Sequence, residues 1–214
     1  MQDKHHRSIQ SFVRRERRMT EARAAVFNDL WAKYNINWES FNSPIILEIG
    51  FGNGEALIAS ALKYPEQNYL GIEVYRSGIE KLLLSVDEHQ LTNVLVCEGD
   101  ALLILQKHIP DKSLTGVRLF FPDPWSKRRH HKRRLVNEAF LELLAQKLLP
   151  GGYFHFATDW EDYAEWVLKV VAQSELQFDL LENPQLDRII TKFAQTGIDA
   201  GREIYDLVFA LIST

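Results

Sequence analysis

An acidic residue and three closely spaced glycines stand together where an apolar run ends. The stretch Leu47–Gly54 reads LEIGFGNG, so Glu48 precedes Gly50, Gly52 and Gly54, which occupy alternate positions. Glycines at the first two of these positions allow a sharp turn and a close approach of the backbone to a ligand. The pattern favours a nucleoside-cofactor site. The alternative is a tight turn between a strand and a helix, with Glu48 satisfied by backbone N–H groups.

A second acidic residue, Glu73, lies 25 residues after Glu48 in the apolar run YLGIEV. At the end of the next parallel strand, its carboxylate is suited to accept both hydroxyls of a ribose. Dinucleotide sites usually space their glycines as G-x-G-x-x-G, which places a pyrophosphate at a helix N-terminus. Here the spacing is G-x-G-x-G, and Glu48 would repel a pyrophosphate but attract an ammonium or sulfonium group. The sequence therefore favours S-adenosylmethionine over NAD.

The basic segment Lys127–Arg134, KRRHHKRR, contains six Lys or Arg, two His and no acidic residue. Residues 1–23 carry a net charge of +4 and the basic segment +6, so the remainder carries −14 in a chain of net charge −4. Such segregation favours a polyanion, and nucleic acid more than a single small phosphate. The alternative is a solvated helix start. Adjacent His130 and His131, without Cys, Asp or Glu beside them, are a poor ligand set for zinc.

A corner rich in proline combines a carboxylate with an indole. Asp123 stands between Pro122 and Pro124 and is followed by Trp125, so the backbone is stiff and extended there. The ring is suited to stacking on a base and the carboxylate to accepting from its N–H groups, as when a looped-out base is bound. The alternative is a rigid turn with Trp125 in the core. The ATDW stretch repeats this pattern at Asp159.

The elements that must position these residues are short apolar runs separated by amphipathic helical stretches. They predict a Rossmann-like α/β fold with a mostly parallel seven-stranded sheet and helices on both faces. In such a sheet, ligands bind at the carboxyl ends of the strands. Asp100, after the third run, is expected there, either accepting from an adenine amino group or capping a helix. The expected strands are Ile45–Ile49, Tyr69–Val74, Val94–Cys97, Val117–Phe121, Tyr153–Ala157, Phe178–Leu181 and Ile204–Leu211.

Length and composition favour one main domain, since 214 residues with 46% hydrophobic content can bury a sizeable core. We expect a basic N-terminal extension and docking helix over 1–42, with helix-like apolar spacing in 24–42, and a cofactor-binding domain over 43–214. Residues 182–203, which contain Pro184, Gly197 and Gly201, are predicted to form a long loop. The single cysteine, Cys97, is expected to be a buried, inert thiol. Without an apolar run of membrane-spanning length or a signal-peptide core, we expect a cytoplasmic protein that has no membrane partner.

Several blocks of the chain resemble the bacterial tRNA (guanine-N7-)-methyltransferase family. They are LEIGFGNGE, GIEVYRSG, LFFPDPWSKRRHHKRR, FHFATDWEDYAEW and TKFAQTGIDAGREIYDL, and with SFVRRERRMT they cover most of the chain. The resemblance implies a class I methyltransferase domain over 43–214. It also implies methyl transfer from S-adenosylmethionine to N7 of the guanine at position 46 in the tRNA variable loop, by a monomer or homodimer without a metal.

The resemblance also implies roles for individual residues. Glu48, Glu73, Asp100 and Asp123 match positions of the cofactor pocket, and Asp123 also matches the proposed active-site acid. The positions matching substrate contacts or the RNA-binding stretch are Lys127, Arg129, His130, His131, Lys132, Arg133, Arg134, Asp159, Thr191, Lys192 and Phe193.

One position departs from the family pattern. The family usually reads TKFE, whereas this chain has Ala194 at the fourth position. A carboxylate expected in the pocket is therefore absent from that position. Glu203 and Glu98 are the candidates to replace it.

The implied reaction fits the residue types present. Guanine N7 carries a lone pair and no proton, so attack on the methyl group needs no general base. A carboxylate near the ring stabilises the positive charge that develops on it, and positioning supplies much of the acceleration. Asp123 is therefore given an orienting and electrostatic role.

Two other classes of protein are considered beside this one. A methyltransferase acting on a small molecule or protein is disfavoured by the basic segment and the proline corner. A non-catalytic RNA-binding protein with a vestigial cofactor loop is disfavoured by the intact glycines and acidic residues.

Overall fold

The structure, a computed structural model, describes residues 11, 20–41, 44–176, 178–182 and 188–212. In these ranges, strands and helices largely alternate. The strands are β1 Ile45–Ile49, β2 Asn68–Glu73, β3 Val94–Glu98, β4 Leu114–Phe120, β5 Leu148–Thr158, β6 Phe178–Leu180 and β7 Tyr205–Leu211. The helices are α1 Glu21–Tyr34, α2 Glu55–Lys63, α3 Arg76–Glu88, α4 Ala101–Lys107, α5 Glu138–Lys147, α6 Glu161–Gln173 and α7 Lys192–Asp199, with short 3₁₀ helices at Trp38–Ser40 and Arg128–Arg133.

The strands form one sheet in the order β3-β2-β1-β4-β5-β7-β6. β7 runs antiparallel to both β5 and β6, and the other neighbouring pairs are parallel. The predicted mostly parallel seven-stranded sheet is therefore confirmed. From β1 the chain first builds outward to β2 and β3 and then returns to β4 on the other side. The crevice at the carboxyl ends of β1 and β4 is where such sheets bind ligands.

Apolar side chains cover both faces of the sheet, which is why β1 is buried along its whole length. One face packs against α4, α5 and α6, and the other packs against α1, α2 and α3. Consecutive β1 residues alternate between the faces: Ile45 and Leu47 join the first cluster and Ile46 the second. No helix in the described part of the chain combines the length and apolarity needed to cross a membrane.

Helix α1 docks on this second face. Phe27 and Tyr34 are buried in the cluster, and Arg23 makes two hydrogen bonds to the carboxylate of Glu80 on α3, at 2.8 and 2.6 Å. The helical spacing expected over 24–42 gives an α-helix that ends at Tyr34, followed by a 3₁₀ turn. Most of the basic extension, residues 1–10 and 12–19, lies outside the described residues.

The prediction of a long loop over 182–203 is wrong, because helix α7 lies within it. The Thr191 side chain caps α7 by accepting from the backbone N–H of Ala194 at 3.2 Å. Only the small Ala194 and Gly197 are buried on its inner face. The helix is short and buries no large apolar side chain, and Gly197 and Gly201 are typical of a loop, so the sequence favours a loop here. Residues 183–187 of this segment lie outside the described ranges.

Candidate active site

The loop from β1 to α2 is open to a ligand at its first two glycines. Gly50 and Gly52 have φ of +68° and +58°, values that residues with a Cβ rarely adopt, and open space faces both. Gly54 differs, because a Cβ there would lie 2.5 Å from Leu82 Cδ1 of α3. Gly54 precedes α2 as its N-cap residue, with φ of +81°, and lines neither cavity described below. Its predicted place in the cofactor site stays a prediction, because its positive φ and its close approach to Leu82 already favour a glycine.

The carboxylate of Glu73 holds this loop against the end of β2. One oxygen accepts from the backbone N–H of Gly52 at 2.9 Å, and the other accepts from those of Val74 and Tyr75 at 2.7 and 3.1 Å. A carboxylate has about four lone-pair sites, so most of its accepting capacity is used inside the protein. The contact with a ribose stays a prediction, and the structure adds a role in holding the loop.

A first cavity, of about 250 Å³, lies at the carboxyl ends of β1 to β4. Glu73, Asp100, Asp123 and Trp125 all line it, so three of the four predicted cofactor acids come together. Asp100 also caps α4, because its side chain accepts from the backbone N–H of Leu102 at 2.9 Å. The capping alternative for Asp100 is therefore confirmed, and its position on the cavity keeps the adenine contact as a prediction.

The proline corner is strained and held from several sides. Phe121 and Trp125 have φ of +50° and +48°, which is uncommon for bulky residues and typical of functional sites. The Trp125 indole N–H donates to the carbonyl of Ser11 at 3.2 Å, and the Arg133 guanidinium lies 4.8 Å from the ring centre. Trp125 is half-buried and lines the first cavity. The alternative that places it in the core is therefore wrong.

The basic segment follows this corner and forms a 3₁₀ helix, not the start of an α-helix. Partial desolvation and the neighbouring cations lower the pKa of His130, which packs edge-on against Trp125. The four exposed cations have no acidic side chain within 4 Å among the described residues, which leaves them accessible to phosphates. They are Lys127, Arg128, Arg129 and Lys132.

Arg134 differs from these cations because its side chain is only 1% exposed. Its guanidinium pairs with Asp162 of α6, donates to the carbonyl of Pro124 at 3.0 Å and stacks on Tyr163. His131 also faces inward, with Nε2 3.7 Å from the Asp162 carboxylate. Arg134 therefore ties the proline corner to α6, and this burial opposes the predicted RNA contact.

A second cavity, of about 240 Å³, adjoins the first and shares Gly50, Phe120 and Phe121 with it. Glu48 lines this cavity, is 2% exposed and has no hydrogen-bond partner at Oε2 among the described residues. Burial raises the pKa of Glu48 to about 7, although Arg118 opposes the shift. Backbone N–H groups therefore do not satisfy this oxygen, so that alternative is wrong. An unpartnered buried acceptor fits the cationic group that the sequence predicts here.

Residues 191–193, referred to below as the covering segment, form one side of the second cavity. The backbone N–H of Lys192 donates to Glu55 Oε2 at 2.7 Å, and the Phe193 ring packs on Phe121 with 5.2 Å between centroids. This brings the stretch that the resemblance places in the substrate site to the wall of the cavity. The stretch consists of Thr191, Lys192 and Phe193, and all three line the cavity.

Asp159 lies behind α7 and lines neither cavity. Its Oδ2 is 3.1 Å from Arg202 Nε, yet the same atom is buried without a hydrogen bond. The distance gives an ion pair, and the angle excludes an aligned hydrogen bond. A Cβ at Gly197 would stand 3.3 Å from this oxygen. The predicted substrate contact of Asp159 stays a prediction, and in the structure the residue supports α7.

Some residues of the site escaped the sequence analysis. Glu55 resembles an ordinary acid in the first turn of a helix, so its type and position give no separate signal. Arg118 does carry one, because a charged residue inside an apolar strand needs a buried partner. It donates to Ser60 Oγ at 2.7 Å. No cluster of three or more metal-binding side chains occurs among the residues that the structure describes.

Comparisons with known proteins match nearly the whole chain. A family model described as "Putative methyltransferase" matches residues 42–207. The tRNA (guanine-N(7)-)-methyltransferase of Nitrosococcus oceani is 47% identical, over 95% of this chain and 91% of that protein. The enzyme of the same name from Alkalilimnicola ehrlichii is 45% identical, over 95% and 92%. Among solved structures, the 16S rRNA methyltransferase KamB shares the fold, with a TM-score of 0.56 and 15% identity over 94% of this chain and 97% of that one.

Proposed function

Since this chain belongs to the tRNA (guanine-N(7)-)-methyltransferase family, we propose that it methylates N7 of the guanine at position 46 in the tRNA variable loop. The observation that carries the proposal is the pair of adjoining cavities with a common wall of Gly50, Phe120 and Phe121. Two ligands that exchange a group must meet, and this wall is where a nucleoside and a base in separate cavities approach each other.

The first cavity fits the nucleoside part of S-adenosylmethionine. Glu73 and Asp100 would hold the ribose and the adenine, and Gly50 leaves the backbone open beside them. Glu48, with its unpartnered buried oxygen, would hold the ammonium group on the other side of the loop. When bound, S-adenosylmethionine supplies an electrophilic methyl group.

The second cavity fits the target base. Its aromatic side chains, Phe120, Phe121 and Phe193, offer stacking surfaces for a base that has left its stack. N7 of guanine has a free lone pair, so the chain's own residues need only to orient the ring and stabilise its charge. Asp123, on the first cavity beside the shared wall, is assigned the electrostatic role, because methylated guanine is cationic.

The exposed part of the basic segment is assigned to tRNA phosphates. Arg129 and Lys132 are exposed and have no acidic side chain within 4 Å in the described ranges, and Lys127, His130 and Arg133 extend the same surface beside Trp125. Cations in such a row bind a polyanion and release its counterions. The bound tRNA would thereby be oriented with its variable loop towards the cavities.

We also assign residues 1–42 to an N-terminal extension with a docking helix, and residues 43–214 to the methyltransferase domain. The packing of α1 on α3 supports the docking helix, and the contact between Ser11 and Trp125 brings the extension to the first cavity. The cytoplasm, where tRNA is processed, is the expected place of action.

The test is direct. The purified protein is incubated with an unmodified tRNA transcript and S-adenosylmethionine labelled in its methyl group, and the digested nucleosides are separated. We expect labelled 7-methylguanosine, and its loss when the transcript carries adenosine at position 46. Label in another nucleoside would overturn the activity, and label that persists in the adenosine transcript would overturn the position.

A further inference from the structure

The second cavity contains two carboxylates in different surroundings. Glu48 is buried in it, beside Arg118 of the neighbouring strand. Glu55, the first residue of α2, is half-buried and stands near the covering segment. Its Oε2 accepts from the backbone N–H of Lys192, and its Oε1 has no hydrogen-bond partner among the described residues. Glu55 is therefore the carboxylate of this cavity that combines partial exposure with a free oxygen.

We propose that Glu55 is the residue that recognises the guanine, by accepting hydrogen bonds from its N1–H and its N2 amino group in the second cavity. The proposal rests on the function proposed above. Its independent support is that the cavity brings the half-buried Glu55 together with the aromatic side chains of Phe51, Phe120, Phe121 and Phe193. Aromatic walls beside a carboxylate indicate a space that a polar aromatic ligand fits.

The chemistry matches guanine and no other standard base. Guanine presents two adjacent donors on its Watson–Crick edge, and a carboxylate offers two oxygens that accept in parallel. Adenine presents an acceptor at N1, which would oppose the Glu55 oxygen. The second lone pair of Oε2 remains available while Lys192 N–H occupies the first, so recognition does not require the covering segment to detach.

Glu55 also replaces the carboxylate that is missing at Ala194. Ala194 is 1% exposed and follows Lys192 by two residues, in the stretch that lines this cavity. Neither of the two acids that the sequence offered as substitutes lines it. Glu98 pairs with Arg76 at the end of β3, and Glu203 accepts from the Tyr205 hydroxyl at 3.3 Å. Glu55 reaches the same stretch from α2.

The experiment compares guanosine with inosine, which keeps N1–H but lacks the N2 amino group, at position 46 of the same tRNA. Wild type and Glu55→Gln are each assayed for kcat/KM with both substrates. The Gln side chain keeps one oxygen that accepts from the Lys192 N–H. Its amide NH2 group, however, faces the donors of guanine and cannot accept a hydrogen bond from them. Glu138→Gln is the matched control, because Glu138 is the exposed first residue of α5 and lines neither cavity.

We expect wild type and Glu138→Gln to prefer guanosine by about tenfold to a hundredfold, the range for a hydrogen bond to a charged group. In Glu55→Gln the preference falls towards one. Intrinsic differences in N7 reactivity between the two substrates cancel when the preference of Glu55→Gln is divided by that of wild type, because both enzymes act on the same two substrates. An unchanged ratio in Glu55→Gln, or no preference in wild type, overturns the proposal and leaves Glu55 only as the anchor of Lys192. Failure of wild type to form 7-methylguanosine would instead overturn the proposed function, and this inference with it.

Discussion

Glu48 and Arg118 are direct neighbours in the register of β1 and β4, yet they form no ion pair within 4 Å. Arg118 instead donates to Ser60 Oγ and stacks on Tyr69. The carboxyl group of Glu48 is thus buried beside a cation that compensates only part of its desolvation. Ligand-free protein therefore holds this carboxyl in an unfavourable state that a bound cation can relieve.

Glu48→Gln should stabilise the ligand-free protein at neutral pH and above. The Glu48 pKa is about 7 in the folded protein against 4.5 as the ordinary value, so the folded state binds the proton more tightly. The stability that protonation contributes is complete below pH 4.5 and is lost as pH rises to 7. The variant should therefore gain at most about 3 kcal/mol above pH 7 and nothing below pH 4.5. Urea unfolding of both proteins at several pH values measures their free energies of unfolding. A difference between wild type and variant that does not change with pH would contradict the prediction.

Binding of the cofactor should release protons near pH 7. An ammonium group beside Glu48 favours the ionised carboxylate and lowers its pKa. The Glu48 carboxyl groups that are protonated in the free protein therefore lose their proton when the cofactor binds. Calorimetry in two buffers of different ionisation enthalpy measures the release. Glu48→Gln should bind without it, and equal proton release from both proteins would place the cationic group elsewhere.

Glu73→Ala should weaken cofactor binding about tenfold to a hundredfold, because hydrogen bonds to a charged group are lost. It should also lower the melting temperature, since three backbone N–H groups lose their acceptor. Glu98→Ala is the control, because Glu98 is the register partner of Glu73 on β3 but lines neither cavity. Calorimetry that gives both variants the wild-type affinity would remove Glu73 from the site.

Asp123→Asn should reduce kcat sharply while leaving the melting temperature nearly unchanged. The side chain is exposed and keeps its shape, so only the negative charge near the reacting base is lost. Single-turnover methylation with saturating tRNA and cofactor reports this step. A wild-type rate would rule out the electrostatic role.

Replacing Lys127, Arg129 and Lys132 together by alanine should weaken tRNA binding and flatten its salt dependence. Each lost phosphate contact removes about 0.7–0.9 of a unit from the log–log slope. The control replaces three exposed lysines outside the segment, Lys107, Lys112 and Lys169, with the same loss of charge. Equal slopes for the two triple variants would reject a local phosphate-binding surface.

The sequence predicts the sheet well because buried parallel strands are short, continuous apolar runs. It also places acidic residues at strand ends, so residue type and position alone group Glu73, Asp100 and Asp123 into one site. The glycine spacing likewise predicts the open turn at Gly50 and Gly52. These features depend on local residue type, which a single sequence contains.

Features that depend on packing between distant elements could not be predicted. Nothing in the basic segment distinguishes Arg134 from its neighbours, since its partner Asp162 lies on α6. Helix α7 is short, has only small residues on its buried face and contains a glycine, so nothing in its sequence shows that it docks on the domain. The place of Glu55 in the second cavity depends on its hydrogen bond with Lys192, which is 137 positions away in the chain.

The separation of charge along the chain would affect the diffusional association of this protein with a nucleic acid. The basic segment stands on one face beside Trp125, whereas the chain outside it and outside residues 1–23 carries −14. A polyanion that drifts towards the acidic remainder is repelled, and one near the basic face is drawn in and turned. Encounters with the proposed tRNA substrate would thereby be biased towards the face that carries the basic segment and Trp125.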